Sequence, residues 1–301
     1  MNTLPQFQVE VVEFAAAVAQ LHAVRERVFV QEQQVPVELE RDAIDPLCRH
    51  VLVRDAHGQP IGTGRLTPDH RIGRMAVVRE WRGKGIGEAM LRTLVDEARR
   101  MGWHELGLHA QVSAIGFYAR HGFLPQGPRF NEAGIEHQTM RSLVDAANPV
   151  ENRDAACAAM LGLIAGCRRV LRIYSRELDP GLLDTPEVMT ALRRFATGDG
   201  EVRVLLHDPA APQRALAPML GLAQRLPSAF AFRAIEEPVD REYAPAYAVN
   251  DAGGYYFRTL GHRFDGETRL DAAPRVRQLC AAFDPVWERA RPCSEFRALG
   301  I

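Results

Sequence analysis

Apolar positions recur along this chain at two periods, and the two periods take turns. Gln8–Glu13 alternates apolar and polar residues and reads as a strand. Ala15–Gln31 places Val18, Leu21, Val24 and Val28 on one helical face. Strands follow at His50–Arg54, Pro60–Leu66 and Ile72–Val78, the first two joined by a turn at Ala56-His57-Gly58. Gly85–Arg100 carries the clearest helical stripe, Met90, Leu91, Leu94, Val95 and Ala98, and stops at Gly102 as a helix C-terminus favours. A strand at Glu105–Gln111, a helix at Ser113–Arg120 and strands near Leu124–Phe130 and Ile135–Arg141 complete the first half.

The second half keeps a different rhythm. Strands are expected at Val170–Ser175, Val202–His207 and Ala229–Ala234, with helices at Glu187–Ala196 and Gln213–Arg225 between them. Tyr247–Asn250 and Tyr255–Arg258 flank a hairpin turn of Asp251, Ala252, Gly253 and Gly254, and Arg275–Arg291 reads as a final helix. Between the halves the strand pattern stops, Asn148-Pro149 signals a turn or linker, and a helix begins near Asp154. The expectation is an α/β chain of two domains, 1–147 and 152–301.

Composition narrows the class. With 37 basic and 38 acidic residues in 301, the chain is nearly neutral, which argues against bulk binding to nucleic acid or an anionic membrane. The hydrophobic share of 47% and charged share of 25% exclude a disordered or fibrous chain. Five cysteines, an odd number with no C-x-x-C pair, suit free thiols in a reducing compartment. No stretch reaches the ~18 apolar residues of a membrane span, and Met1–Glu10 lacks the basic start and apolar run of a signal peptide, so cytoplasm is the expected location. Of the 37 basic residues only Lys84 is lysine.

That lysine lies in the sharpest motif of the chain, Arg82-Gly83-Lys84-Gly85-Ile86-Gly87, between an expected strand and the best helix. A helix N-terminus offers unpaired N–H groups and the positive end of a dipole, and glycines let a pyrophosphate approach the backbone. The spacing fits neither Walker A nor the G-x-G-x-x-G dinucleotide fingerprint. It is R-x-x-G-x-G, and it resembles the coenzyme-A loop of the GNAT family of N-acetyltransferases. Arg74-Met75-Ala76-Val77 matches the strand that pairs with the pantetheine arm in that family, and Phe117-Tyr118-Ala119-Arg120-His121-Gly122-Phe123 matches its F-Y-x-x-x-G-F segment. Arg27-Val28-Phe29-Val30, Glu32-Gln33, Asp45, His50, Ala110-Gln111 and Gly134-Ile135-Glu136-His137 with Met140 are similar to its ElaA-like branch. The resemblance spans about residues 8–142.

The resemblance implies a mixed sheet with flanking helices, acetyl-CoA as cosubstrate, no metal, and direct attack of a small amine on the thioester. Met75, Ala76, Val77, Arg82, Gly83, Lys84, Gly85, Ile86, Gly87 and Tyr118 would hold the coenzyme, with a backbone N–H of Met75–Val77 facing the carbonyl oxygen as it gains charge. Tyr118 would protonate or position the leaving thiolate, since tyrosine holds its proton at neutral pH. Glu32 and Asp45 are the candidate carboxylates near the acceptor, within or beside the acidic run Glu38–Asp45, which otherwise reads as a solvated loop. His109 reads as a satisfied strand histidine, and His50 and His137 as site-lining groups.

The second half resembles a phospholipase-D-type α/β domain over about residues 153–292, through Ile173-Tyr174-Ser175, Val202–His207 with Asp208-Pro209, and Phe283–Glu288. Aligned on Asp251, the H-x-K of active members falls on Ala244 and Ala246. The expectation is a non-catalytic domain that selects substrate, binds a protein partner or forms a homodimer. Arg168, Arg169 and Arg172 either hold a phosphate or are solvated. The chain is therefore expected to be an N-acetyltransferase, with an acyl-CoA-binding sensor without turnover as the alternative.

Overall fold

The alternating segments of the first half pair into one seven-stranded sheet in the computed structural model, which describes residues 6–296. The outer ends of both expected domains, residues 1–5 and 297–301, lie outside the described residues. The elements are β1 (Phe7–Val12), α1 (Phe14–Arg25), α2 (Val37–Glu40), β2 (Arg49–Asp55), β3 (Pro60–Thr67), β4 (Arg71–Val77), α3 (Ile86–Arg100), β5 (Glu105–Gln111), α4 (Ile115–Ala119), β6 (Leu124–Glu132) and β7 (Ile135–Leu143). The strand order is β1-β2-β3-β4-β5-β7-β6, and β4 and β5 run parallel. The stripe on α3 faces inward as its period requires, with Ile86, Met90, Leu91, Leu94 and Ala98 buried. Two glycines of β3 admit this packing. A Cβ at Gly62 would stand 3.0 Å from Met90 Sδ, and one at Gly64 only 2.7 Å from Met75 Sδ.

The helix expected over 15–31 is not uniform. Its α-helical part ends at Arg25, and Glu26–Glu32 continues as a π-helix, with the Gln33 N–H donating to Val28 O at 3.1 Å. The wider turn shifts Glu32 from the position a 3.6-residue repeat would give it.

The second sheet has eight strands. Its elements are β8 (Asn148–Val150), α5 (Arg153–Gly166), β9 (Val170–Ser175), α6 (Pro186–Thr197), β10 (Glu201–Leu206), α7 (Ala210–Arg214), α8 (Pro218–Arg225), β11 (Phe230–Ala234), α9 (Pro238–Arg241), β12 (Ala246–Asn250), β13 (Tyr255–Arg258), β14 (Gly266–Arg269), α10 (Ala273–Arg289) and β15 (Arg291–Pro292). The order is β15-β11-β10-β9-β12-β13-β14-β8, with β9, β10 and β11 parallel and the remaining neighbours antiparallel. Phe283 and Trp287 of α10 pack with Tyr174 and Tyr247 of the sheet.

Two expectations change here. The turn signal Asn148-Pro149 is an edge strand, with Asn148 opposite Thr268 and Val150 opposite Gly266; at a sheet edge the missing proline N–H breaks no ladder. The helix expected over 213–225 is two helices. Pro218 cannot donate a backbone hydrogen bond, and Leu216 sits at φ 50°.

The chain divides into two compact units. One draws on residues up to Val112 together with Gly127–Ala146, the other on Ser113–Gln126 together with residues from Ala147 onward. The segment carrying α4 thus groups with the second unit, where Gly162 of α5 lets the helices meet closely: a Cβ there would lie 2.9 Å from Ala119 O.

Candidate active site

The candidate coenzyme strand, β4, is distorted in its middle. Against β3 it pairs at Ala76 with Thr63 and at Gly73 with Arg65, so Arg74 and Met75 together oppose Gly64. This is a bulge, and Arg74 adopts φ 51°, a left-handed conformation that a non-glycine residue seldom takes. Against β5 the pairing is brief, Arg71 with Gly107 and Ile72 with Leu108. Beyond Ile72 the two parallel strands part, and Met75–Val77 has no ladder partner on that side. An extended ligand can pair there.

The glycine loop follows directly. Gly83 at φ 73° and Gly85 at φ 82° take left-handed conformations that favour glycine, and a Cβ at either would meet nothing within 4 Å. The backbone conformation, not room, is what glycine supplies. Helix α3 starts at Ile86, and the first helical acceptor is Gly85 O, bonded to the Ala89 N–H at 3.0 Å. The N–H groups of Ile86, Gly87 and Glu88 precede that bond and form the positive end of a four-turn helix. Lys84 Nζ lies 4.7 Å from the centre of the exposed-edge Trp81 ring, a cation–π distance.

Arg82 is held from both sides. Its Nε donates to Val77 O at 2.9 Å, and its two terminal nitrogens donate to the two carboxylate oxygens of Glu32 at 2.7 and 2.8 Å. Arg79 stands 3.4 Å from the same carboxylate. The Arg82 hydrogen bond, with the neighbouring guanidinium charges, holds the Glu32 carboxyl below the usual glutamate range. A carboxylate stabilised in this way is a poor proton acceptor. Glu32, expected as a catalytic carboxylate, ties the π-helix to the loop.

Asp45 is the other expected catalytic carboxylate. It is buried with Arg25, Arg65 and Glu40 in one network: Arg25 donates to Asp45 at 2.9 Å and to Glu40, and Arg65 donates to Asp45 and, at 2.6 Å, to Asp42. A buried carboxylate engaged by two guanidiniums leaves little room for an amine to reach it. Of the acidic run, Glu40, Asp42 and Asp45 serve this network, while Glu38 is exposed and has no cationic partner among the described residues.

Asp45, Cys48 and His50 bring their ligand-type atoms within 4.8 Å of one another. The donor set does not suit a cation, because Arg25 and Arg65 already balance the carboxylate. His50 Nε2 is 2.8 Å from Asp45 O, and Cys48 Sγ donates to Ile44 O at 3.3 Å. Burial pushes the Cys48 thiol up, away from the thiolate a nucleophile or ligand requires.

Tyr118 lies on α4 and is buried, edge-on to Phe117 and Phe123 at centroid distances of 5.0 and 6.1 Å. Burial pushes its pKa up to about 12, so it stays protonated, and its hydroxyl has no hydrogen-bond partner among the described residues. His109 is satisfied on its strand, with Nδ1 3.2 Å from Glu132 and Nε2 3.1 Å from Arg71. His137 Nδ1 meets Ile135 O at 2.8 Å. Arg79 is the contributor the sequence reading missed; it precedes the motif, and only the π-helix brings Glu32 to it.

Comparison with known proteins fits this geometry. Residues 12–144 match the model of the acetyltransferase (GNAT) domain, and residues 152–299 match that of a domain of unknown function, DUF7931. The uncharacterized N-acetyltransferase YjcF of Bacillus subtilis (strain 168) is 36% identical over 121 residues, covering 39% of this chain and 86% of YjcF. An acyl-CoA N-acyltransferase from Pseudomonas aeruginosa is 25% identical with a TM-score of 0.42, covering 46% of this chain and 99% of that one. ElaA of Escherichia coli is 23% identical with a TM-score of 0.42, over 46% and 99%. The chain belongs to the GNAT acetyltransferase family through its N-terminal half. Among the described residues no helix is long and apolar enough to cross a membrane.

Proposed function

We propose that this protein transfers the acetyl group of acetyl-CoA to a small amine by direct attack, without an acyl-enzyme. The observation that carries the reading is the parted edge of β4 leading into the Gly83–Gly85 loop and the N-terminus of α3. The pantetheine amides pair with Met75–Val77, and the pyrophosphate lies on the N–H groups from Gly83 to Gly87, with Arg82 and Lys84 adding charge. A backbone N–H of Met75–Val77 stabilises the carbonyl oxygen as the amine attacks. The C–N bond forms, the C–S bond breaks, and the thiolate leaves with a proton, a donation that the resemblance to the family assigns to Tyr118.

Neither Glu32 nor Asp45 is the base in this scheme. Glu38, solvent-exposed on α2, attracts the cationic amine, and water removes its proton. The engagement of both expected bases by arginine favours one rival reading, an acyl-CoA sensor without turnover. Thiol release from acetyl-CoA by the full chain against a panel of small amines separates the two: amine-dependent release supports transfer, and coenzyme binding with no release for any amine supports the sensor. The second domain is inferred to be non-catalytic on the phospholipase-D-type resemblance alone, under which Ala244 and Ala246 fall at the H-x-K positions.

A further inference from the structure

A cavity of about 480 Å³ opens in the second unit where β9 and β10 end, within the about 300–1,000 Å³ range of small-molecule pockets. Its place in the topology is specific. From β9 the chain moves outward to β10 and β11 on one side, then returns to β12 on the other side of β9. The sheet order therefore reverses between β9 and β12, and in open α/β sheets ligands bind at such a switch point, outside the carboxyl ends of the parallel strands. Gly261 marks the spot: a Cβ there would lie 3.1 Å from both Arg176 Cγ, just after β9, and Ala246 Cβ, at the start of β12.

The lining is cationic once its internal pairs are removed. Arg176, Arg241 and Arg258 face three carboxylates, Glu177, Asp179 and Asp208. Asp179 is taken by Arg258 at 2.5 Å, and Asp208 by Arg214 at 3.1 Å and by the N–H groups of Ala210 and Ala211. Glu177 alone then stands against Arg176 and Arg241, neither of which has a carboxylate partner among the described residues. Arg241 spends only its Nε, on Ile235 O at 3.0 Å. His207 and His262 complete the rim, and the buried Nε2 of His207 and Nε of Arg258 have no hydrogen-bond partner among the described residues. Burial, and then the charges of Arg176 and Arg241, lower the pKa of His207, so both guanidiniums act on the same place. Two free planar forks suit a tetrahedral oxyanion of high charge, and a phosphate ester carries about −1.5 to −2 at pH 7. Phe264 and Pro180 give the cavity an apolar side, beyond what a bare ion needs.

We propose that this cavity binds a phosphomonoester dianion carried on a small organic group. Ala244 and Ala246 stand beside Gly261 at its edge, and the inference is one of binding. The site is lined by residues of the second unit and does not depend on the reading of the acetyl-CoA loop.

Calorimetry of the full chain with phenyl phosphate, inorganic phosphate and dimethyl phosphate tests this in phosphate-free buffer of low ionic strength. The expected result is saturable one-to-one binding of phenyl phosphate, weaker binding of inorganic phosphate, and none of the monoanionic dimethyl phosphate. Arg176→Gln and Arg241→Gln each weaken phenyl phosphate about tenfold or more and leave acetyl-CoA affinity unchanged, while Arg82→Ala leaves phenyl phosphate unchanged. Arg176 is exposed and without a side-chain partner, so its replacement spares the fold. Absence of heat with phenyl phosphate overturns the proposal, as does an affinity unchanged in both pocket variants or lost in Arg82→Ala. Equal affinity for inorganic phosphate overturns the organic ester.

Discussion

Glu32 and Arg82 meet as a two-pronged pair, 2.7 and 2.8 Å between the terminal guanidinium nitrogens and the two carboxylate oxygens. The pair joins the π-helix to the glycine loop and aims the remaining hydrogen-bond capacity of Arg82. Glu32→Gln removes the charge and one prong of the fork. Acetyl-CoA affinity is expected to fall about three- to tenfold, with kcat nearly unchanged at saturation. If Glu32 were the general base, kcat would fall by about 10² or more. Steady-state kinetics distinguishes the two.

The same pair has a pH signature. Its carboxyl is held below the ordinary glutamate range by the Arg82 hydrogen bond. The folded-state pKa is depressed, so the contribution is complete above the unfolded value of about 4.3 and is lost only as pH falls through the lower folded value. Acetyl-CoA affinity is expected to show no step between pH 7 and about 5 that Glu32→Gln removes. Such a step, measured by calorimetry, would remove the pair from the account.

Asp45 tests a structural role. Asp45→Asn leaves Arg25 and Arg65 short of buried negative charge, and breaking a buried pair costs about 3–5 kcal/mol. Thermal denaturation is expected to shift strongly downward, while turnover per folded molecule is retained. Full stability with lost turnover would return Asp45 to catalysis.

Tyr118→Phe removes only the hydroxyl. The ring keeps its edge contacts with Phe117 and Phe123, and the hydroxyl leaves behind no orphaned partner among the described residues. The expected loss is about 10- to 100-fold in kcat with acetyl-CoA affinity within about twofold. An unchanged kcat assigns Tyr118 to packing.

Much of this was legible in the sequence, because strands, helix α3 and the glycine loop are encoded locally. The stripe from Met90 to Ala98 needs no distant partner to be read. The arginine networks are different. Arg25 reaches Glu40 and Asp45 across a helix end and a loop, and Glu32 reaches Arg82 only because the helix widens to a π-helix after Arg25. The arginine partners of both carboxylates therefore lie beyond the reach of local spacing. In the second unit, Arg168, Arg169 and Arg172 drew notice as neighbours in sequence. In the structure Arg172 pairs with Asp284, and the backbone N–H groups of Arg168 and Arg169 hold Asp251, each at 2.8 Å. The cationic cavity is formed instead by residues from separate strand ends, which no local pattern announces.

Lys84, the one lysine of the chain, rests on Trp81 and is not fixed by a carboxylate. Lys84→Ala is expected to weaken acetyl-CoA by no more than about tenfold, or ~1.4 kcal/mol, since the backbone N–H groups make the main contact. A larger loss by calorimetry would place its charge directly on a phosphate.

The most direct test of the central claim is free-thiol release from acetyl-CoA by the full chain, measured with and without a panel of small amines. The account predicts amine-dependent release that Gly85→Val suppresses, because a β-branched residue cannot readily hold the φ of 82° the loop requires. Failure of the folded protein to bind acetyl-CoA, or release that no amine accelerates, would contradict it.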